Sequence, residues 1–421
     1  MPHQVALTIS APVRADAAAD LEALLATMGD GVANGSVVDL ASFDGVHFAR
    51  FVLVPETAAL DGSRLPALLV YMVDLDVPRE RHLAQLVETA ADGVDRLFSH
   101  CEGYPAAPAR ESRLDYLRRH RVKEQAFYVN TIGRTSRQIR QEAELRDAIE
   151  TFVDGAPDLA RDDAAAVRRA VHEHVRADAT LAWARRPPPR LDLGFRLRQG
   201  FHLVVVPLVV LVLSPLLLVS APVYLFLLRR HERRDPAPHH TPPPELVQEL
   251  AALEDHHVHN PFTAVGLVKP GPLRWLTIRA VLFGIDYTTR HVFNHGNLAG
   301  VKTIHFARWV FLDSKRVVFA SNYDGSLESY MDDFIDKIAW GLNIVFSNGY
   351  GYPRARWLIF DGARDELAFK DYLRLHQVPT RVWYSAYGRL TTANVANNER
   401  IRSGVRDDDS RIDDERWLHA L

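Results

Sequence analysis

Residues Gly45 to Phe51 read Gly-Val-His-Phe-Ala-Arg-Phe, and residues Thr303 to Trp309 read Thr-Ile-His-Phe-Ala-Arg-Trp. Outward from this pair the chain goes on repeating itself. Gly103-Tyr104-Pro105 returns as Gly351-Tyr352-Pro353, and Asp115-Tyr116-Leu117-Arg118 with His120 and Val122 returns as Asp371-Tyr372-Leu373-Arg374 with His376 and Val378. Tyr128 matches Tyr384, and Gly133-Arg134 matches Gly388-Arg389. Every match lies 248 to 258 residues downstream of its partner. Collinear matches at so constant an offset mark an internal duplication.

Periodicity assigns elements to each copy. In the first, Val5 to Ser10 alternates as a strand and Ala15 to Met28 has helical spacing. His47 to Val54 and Ala67 to Val73 are strands, and Arg79 to His100 is an amphipathic helix with Leu83, Leu86, Val87, Ala90, Val94 and Leu97 on one face. Gln125 to Thr131 closes the copy as a strand. In the second copy the matching elements are Thr263 to Val268, Pro272 to Phe293, Thr303 to Leu312, Arg316 to Tyr323, Ser326 to Phe346 and Val382 to Tyr387. The order is β-α-β-β-α-β, the ferredoxin-like order. Each half has helices on one sheet face and leaves the other bare, so the halves are expected to pack face to face. The predicted fold is α+β, with two tandem ferredoxin-like halves at 1–150 and 261–404.

Between the halves, Phe201 to Leu228 carries no formally charged side chain over 28 residues. A membrane span needs about 20, and Pro207, Pro215 and Pro222 would each cost about 3 kcal/mol inside a soluble helix. Membrane contact is therefore expected at 201–228. Arginines flank the run on both sides, at Arg196 and Arg198 and at Arg229, Arg230, Arg233 and Arg234, so the positive-inside rule picks no orientation. Two topologies stay open: a hairpin turning at Ser214-Pro215, and a single span. The hairpin keeps both halves on one side of the membrane, as face-to-face packing requires. Its Pro, Ser-Pro, Pro spacing weakly resembles the proline knot of oleosin-type lipid-droplet proteins. Residues 151–200 and 229–260 are predicted as helical, basic and Pro-rich linkers, and 405–421 as a charged, solvated tail.

Composition narrows the function. Lys plus Arg number 50 against 53 Asp plus Glu, which gives no basic surplus for nucleic acid. The single cysteine, Cys101, excludes an intramolecular disulfide and a multi-Cys zinc site. With no recognisable secretory signal at the N-terminus, the halves are expected on the cytoplasmic side. No P-loop, dinucleotide-binding glycine fingerprint, nucleophile elbow or His-Glu-x-x-His occurs.

The repeated His-Phe-Ala-Arg lies on a strand, where neighbours point to opposite faces. His47 and Arg50, and likewise His305 and Arg308, are expected to face opposite ways. One of each pair would point inward, an imidazole to bind a cofactor or an Arg to hold an anion; the alternative is ordinary hydrogen bonding. Asp76 and Asp324 precede the second helix of their copies, where an Asp caps a helix N-terminus. Glu254, His257 and His259 form a cluster with a His-x-His, a conceivable metal site or a solvated acidic surface.

The paired halves resemble the dimeric α+β barrel superfamily, which includes dye-decolorising peroxidases, chlorite dismutases and small quinol monooxygenases. The run Ser321-Asn322-Tyr323-Asp324-Gly325 is similar to the Gly-x-x-Asp-Gly motif of the peroxidases, with Ser321 in place of the first Gly. That resemblance implies an α+β barrel and haem, with Asp324 acting in peroxide cleavage, His376 as axial ligand and Arg389 as distal Arg. Two functions are therefore expected: a membrane-attached redox enzyme acting on peroxide or a lipophilic substrate, or a non-catalytic protein binding lipid or another apolar ligand at a membrane or lipid-body surface. Both imply a phospholipid membrane and a lipophilic small molecule as partners.

Overall fold

The computed structural model describes residues 4–31, 37–156, 163–188, 192–236, 239–293, 296–406 and 413–421. Its main strands are β1 (Val5–Pro12), β2 (Val46–Val54), β3 (Leu68–Leu75), β4 (Glu124–Val129), β5 (His259–Leu267), β6 (Ile304–Phe311), β7 (Arg316–Asp324) and β8 (Val382–Ser385). Its helices in the first half are α1 (Ala18–Gly31), α2 (Arg79–Thr89), α3 (Ala91–Phe98), α4 (Arg110–Arg119), α5 (Ser136–Asp154) and α6 (Ala164–Ala177). The connecting helices are α7 (Leu193–Arg234) and α8 (Pro244–Ala251). The second half adds α9 (Pro272–His291), α10 (Leu327–Phe346), α11 (Glu366–His376), α12 (Thr392–Gly404) and α13 (Asp414–Leu418).

All pairing in the two main sheets is antiparallel. One sheet runs β8, β2, β3, β1 and then the short segment Arg121–Val122; the other runs β4, β6, β7, β5. The closing strand of each copy therefore lies on the other copy's sheet. Val382 pairs with Phe51 and Trp383 with Arg50, while Phe127 pairs with Arg308 and Tyr128 with Ala307. The expectation that each copy closes its own sheet is corrected here. The chain reaches its own first strand only briefly, at Thr8 with Val122 and Ile9 with Arg121, and in the second copy at Ala264 with Gln377. It then crosses over.

The two sheets stack face to face. Val52, Val54, Leu68, Val70 and Met72 of one pack with Val310, Val318 and Ala320 of the other in a single buried cluster. Neither sheet closes on itself, so the expected barrel is instead two open layers. The outer face of the first sheet is covered by α1 to α4 and that of the second by α9 to α11. A further layer joins both halves: Leu145 and Ile149 of α5, Val167, Val171 and Val175 of α6, Ile401 of α12 and Trp417 of α13. The tail expected to be solvated thus buries Trp417, whose indole N–H donates to the Ile401 carbonyl at 3.0 Å; its residues 407–412 lie outside the described residues.

The apolar stretch forms neither a turn at Ser214-Pro215 nor two arms. Helix α7 is continuous for 42 residues, through all three prolines, about 63 Å at 1.5 Å per residue. By length and composition it could cross a membrane, and none of its most apolar window is buried. Each proline deprives the carbonyl four residues earlier of its N–H partner. Ser214 Oγ donates to the Leu211 carbonyl freed by Pro215, at 2.7 Å. The Tyr287 hydroxyl donates to the Leu203 carbonyl freed by Pro207, at 3.4 Å. Such side-chain donors are what let prolines persist in an apolar helix.

Both ends of α7 return to the same body. Phe195, Arg196 and Gln199 share a cavity wall with Gln4, Thr131 and Arg134. His202 Nδ1 lies 2.8 Å from His291 Nε2, and the Tyr224 hydroxyl 3.0 Å from Thr277 Oγ1, both partners on α9. At the far end Leu228 is buried, and Glu232 accepts from the backbone N–H groups of Trp357 and Leu358 at 3.0 and 2.9 Å.

Candidate functional site

The duplicated His-Phe-Ala-Arg segments meet at the seam between the sheets. In each copy the pairing skips one residue, from Val46 to Phe48 opposite β3 and from Ile304 to Phe306 opposite β7. The skipped residue is the histidine. A bulge of this kind breaks the two-residue alternation and re-aims a side chain. His47 and Arg50 therefore both face the opposite sheet, as do His305 and Arg308, against the expected opposite orientations.

The two arginines cross the seam reciprocally. Arg50 donates to the carbonyls of Phe262 and Ser321, at 2.8 Å each, to Thr263 Oγ1 at 2.9 Å and to Asn322 Oδ1. Arg308 donates to the Leu7 carbonyl at 2.9 Å, to Thr8 Oγ1 at 3.2 Å and to the Asp74 carboxylate. Asn322 bridges the two sets by donating to Asp74 Oδ2 at 3.2 Å. Burial lowers the Arg50 pKa to about 9 and pushes the Asp74 carboxyl up, with both arginines opposing the latter.

Each histidine meets the aspartate at the end of the strand that pairs with its own, β3 or β7. His305 Nε2 lies 2.7 Å from Asp324 Oδ1, while Asp324 Oδ2 accepts from the Thr392 N–H and hydroxyl at 2.8 and 2.7 Å. His47 Nε2 lies 3.5 Å from Asp76 Oδ2, which accepts from the Ser136 N–H at 2.8 Å. The aspartates thus tie down the N-termini of α12 and α5, not the helices that immediately follow them in sequence. Burial pushes Asp324 up, but the hydrogen bonds from His305 and Thr392 outweigh it and leave the carboxyl below its ordinary range. Burial leaves Asp76 raised. Burial, with His305 close by, takes His47 down to about 3. Its Nδ1 is 2.6 Å from the Tyr387 hydroxyl, a partner the repeat did not reveal.

Haem does not fit this arrangement. Both Asp324 oxygens are already engaged, and the cavity beside the arginine pair measures about 10 Å³, room for about one water. His376 lies elsewhere. On α11 its Nδ1 is 2.7 Å from the Tyr372 carbonyl, and it lines a separate cavity with His239, His240, Tyr350 and Arg354 that neither Asp324 nor Arg389 lines. Arg389 is exposed. The other histidine cluster also divides. Glu254 accepts from Arg374 at 2.6 and 2.8 Å and from Gln377. His259 instead joins His305, Phe48 and Trp383, and exposed His257 lies against Trp383. Among the described residues no three His, Cys, Asp or Glu side chains are grouped to hold a metal ion.

Space for a ligand lies on the outer face of the second sheet. A cavity of about 390 Å³ opens between α9 and α10. Val281, Gly284 and Ile285 of α9 face Met331, Phe334, Ile338, Gly341 and Val345 of α10 across it, over a floor of Ala307, Trp309 and Phe319. Its lining residues with polar side-chain atoms are Thr288, Thr289, Tyr128, Tyr330, Trp309 and Trp340, of which the Tyr330 hydroxyl is bonded to Ser321 Oγ at 2.7 Å. Helix α10 is kinked at Ile338, on the cavity wall. Trp275, Leu276 and Phe283 of α9 and Trp340 of α10 are exposed, on the same helix layer that α7 crosses. This site escapes sequence reading: its residues carry the same helical periodicity as a filled core.

Comparison with protein families, with curated proteins and with solved structures returns no match.

Proposed function

We propose that this chain is a membrane-associated protein that binds an apolar ligand, a lipid chain, in the cavity between α9 and α10. One observation carries the reading: about 390 Å³ of almost wholly apolar space lies in the helix layer crossed by a 42-residue helix whose most apolar window is unburied. Ligand sites of a few hundred Å³ with apolar walls and few polar groups suit apolar ligands. In this reading α7 lies along the membrane surface, because both its ends return to one body and the exchanged strands β4 and β8 hold both halves on one side. Trp275, Phe283 and Trp340 extend its apolar face. The element order, shared by both copies, supports descent from a duplicated ferredoxin-like unit related to the α+β barrel superfamily; the two halves would have kept the paired sheets and lost a haem-sized interior.

The test is titration of the detergent-purified protein with cis-parinaric acid. Saturable binding near one per chain is expected, with loss of binding in Gly341→Trp, since a side chain there meets only the Ile338 Cβ, at 3.8 Å, and would project into the cavity. Absence of saturable binding by the unaltered protein would defeat the proposal. In liposome flotation, Leu211→Arg combined with Leu218→Arg should leave the protein at the bottom of the gradient.

A further inference from the structure

We infer that the ligand is an anionic phospholipid, its chain in the apolar cavity and its phosphate in a second, larger cavity next to it. The inference rests on the apolar-ligand reading and adds the chemistry of the head group. The second cavity measures about 680 Å³ and shares Phe127 and Thr289 with the first as a common wall. Thr289 Oγ1 lies 3.4 Å from the Phe127 carbonyl, so the partition is where α9 meets β4. Beyond it the lining becomes mixed: Arg134, Arg196, Arg290, His291, Asn130 and Gln199 stand among Val129, Ile132 and Phe195.

Three arginines face one carboxylate, Glu399. Arg134 is committed to Glu142 and Glu399, at 3.1 and 3.3 Å, and Arg290 to Asp286 at 2.7 Å. Among the described residues no carboxylate pairs with Arg196. A guanidinium is the side chain best matched to phosphate oxygens. Its depth fits as well. Arg196 is in the first turn of α7, five residues before the uncharged stretch begins at Phe201, about 7.5 Å along the helix. If α7 rests in the membrane surface, Arg196 lies at the level of the head groups, where anionic lipids attract basic side chains. Polar cavity, partition and apolar cavity thus follow the order of a phospholipid's own parts.

The experiment is displacement of bound cis-parinaric acid by 1-oleoyl-lysophosphatidic acid, oleic acid and monoolein, which share one chain and differ in head group. The phosphate compound is expected to act at concentrations at least tenfold below monoolein and below oleic acid. Arg196→Glu should erase that preference and leave monoolein unchanged, with an unaltered melting temperature showing that the fold survives. Gly284→Trp, where a side chain meets nothing within 4 Å, should abolish displacement by all three because the probe no longer binds. Equal potency of the phosphate and neutral compounds, or an Arg196→Glu variant that keeps the preference, would overturn the head-group assignment and leave the apolar cavity standing. Preference for oleic acid would overturn phosphate in favour of a carboxylate. Failure of all three to displace the probe from the unaltered protein would instead count against the apolar-ligand reading itself.

Discussion

Under the first sheet, Leu21, Leu25, Leu83, Leu86, Val94 and Leu97 from α1, α2 and α3 are all at most 2% exposed and belong to one packed cluster. Under the second, α9 and α10 occupy the equivalent places in chain order and leave about 390 Å³ between them. The seam between the sheets differs far less: each copy keeps a bulged histidine, an aspartate tied to a helix N-terminus and an arginine that crosses to the other sheet. The contrast indicates where two regions that share sequence motifs are free to differ. Most polar groups buried at the seam are paired, and depriving one of its partner costs about 1–3 kcal/mol. An apolar helix layer can open by shifting, at the cost of contacts alone.

The seam is not fully symmetric, and the largest expected effect exposes this. Arg308→Met leaves the buried Asp74 carboxylate without its guanidinium and should cost about 3–5 kcal/mol in denaturant unfolding. Arg50→Met removes bonds to neutral acceptors and should cost less, about 1–3 kcal/mol. Equal losses would mean that the two arginines do equivalent work after all.

A pH series separates the two histidines. His47 titrates near 3 in the folded protein against 6.5 ordinarily, so between those values the unfolded chain binds more protons. Its contribution is complete above about pH 6.5 and is lost on acidification, reaching about 2 kcal/mol by pH 5. His82 and His259, each lowered to about 4 by burial, act with the same sign. His376 and His291 are lowered by burial too, so His47→Gln should reduce the slope of unfolding free energy between pH 6 and 5 by at most one proton, about 1.4 kcal/mol per pH unit, and leave the rest. A slope unchanged in that variant would assign the acid sensitivity elsewhere.

The aspartates should differ more modestly. Asp324→Asn weakens the ties to His305 and Thr392 and should cost about 1–2 kcal/mol. Asp76→Asn should cost less, because burial already disfavours that carboxylate. The reverse ranking in thermal melts would break the contrast. Smallest of all, Gly284→Ala should stabilise by about 0.5–1 kcal/mol, since its new methyl meets nothing within 4 Å. A destabilised variant would mean that the cavity mouth is already filled.

Much of the fold was legible because it is local. Helix α9 was expected at 272–293 and runs from Pro272 to His291, with Pro at its first turn; α10 was expected at 326–346 and runs from Leu327 to Phe346, with Ser326 as its cap. Strand β7 differs from the reading by one residue. Legibility failed where a residue's role depends on what it meets. The alternation of Gln125 to Thr131 is the same whichever sheet accepts it. A bulge at His47 leaves no mark in residue type. Pro215 reads as a breaker until Ser214 is seen serving the orphaned Leu211 carbonyl. Of the candidate site residues, His47, His305, Asp324 and Arg308 come together at the seam, while His376, Arg389 and Glu254 lie apart from it.

The residue order alone carries the repeated segments, most of the strand and helix segments and the uncharged stretch at 201–228, because period, caps and composition act over a few neighbours along the chain. Which sheet takes each closing strand, which helix end each aspartate holds, and where one helix layer stands open were set only when surfaces tens to hundreds of residues apart came into contact. Those choices depend on how volumes and polar groups complement one another in space, and no short stretch of sequence carries that information.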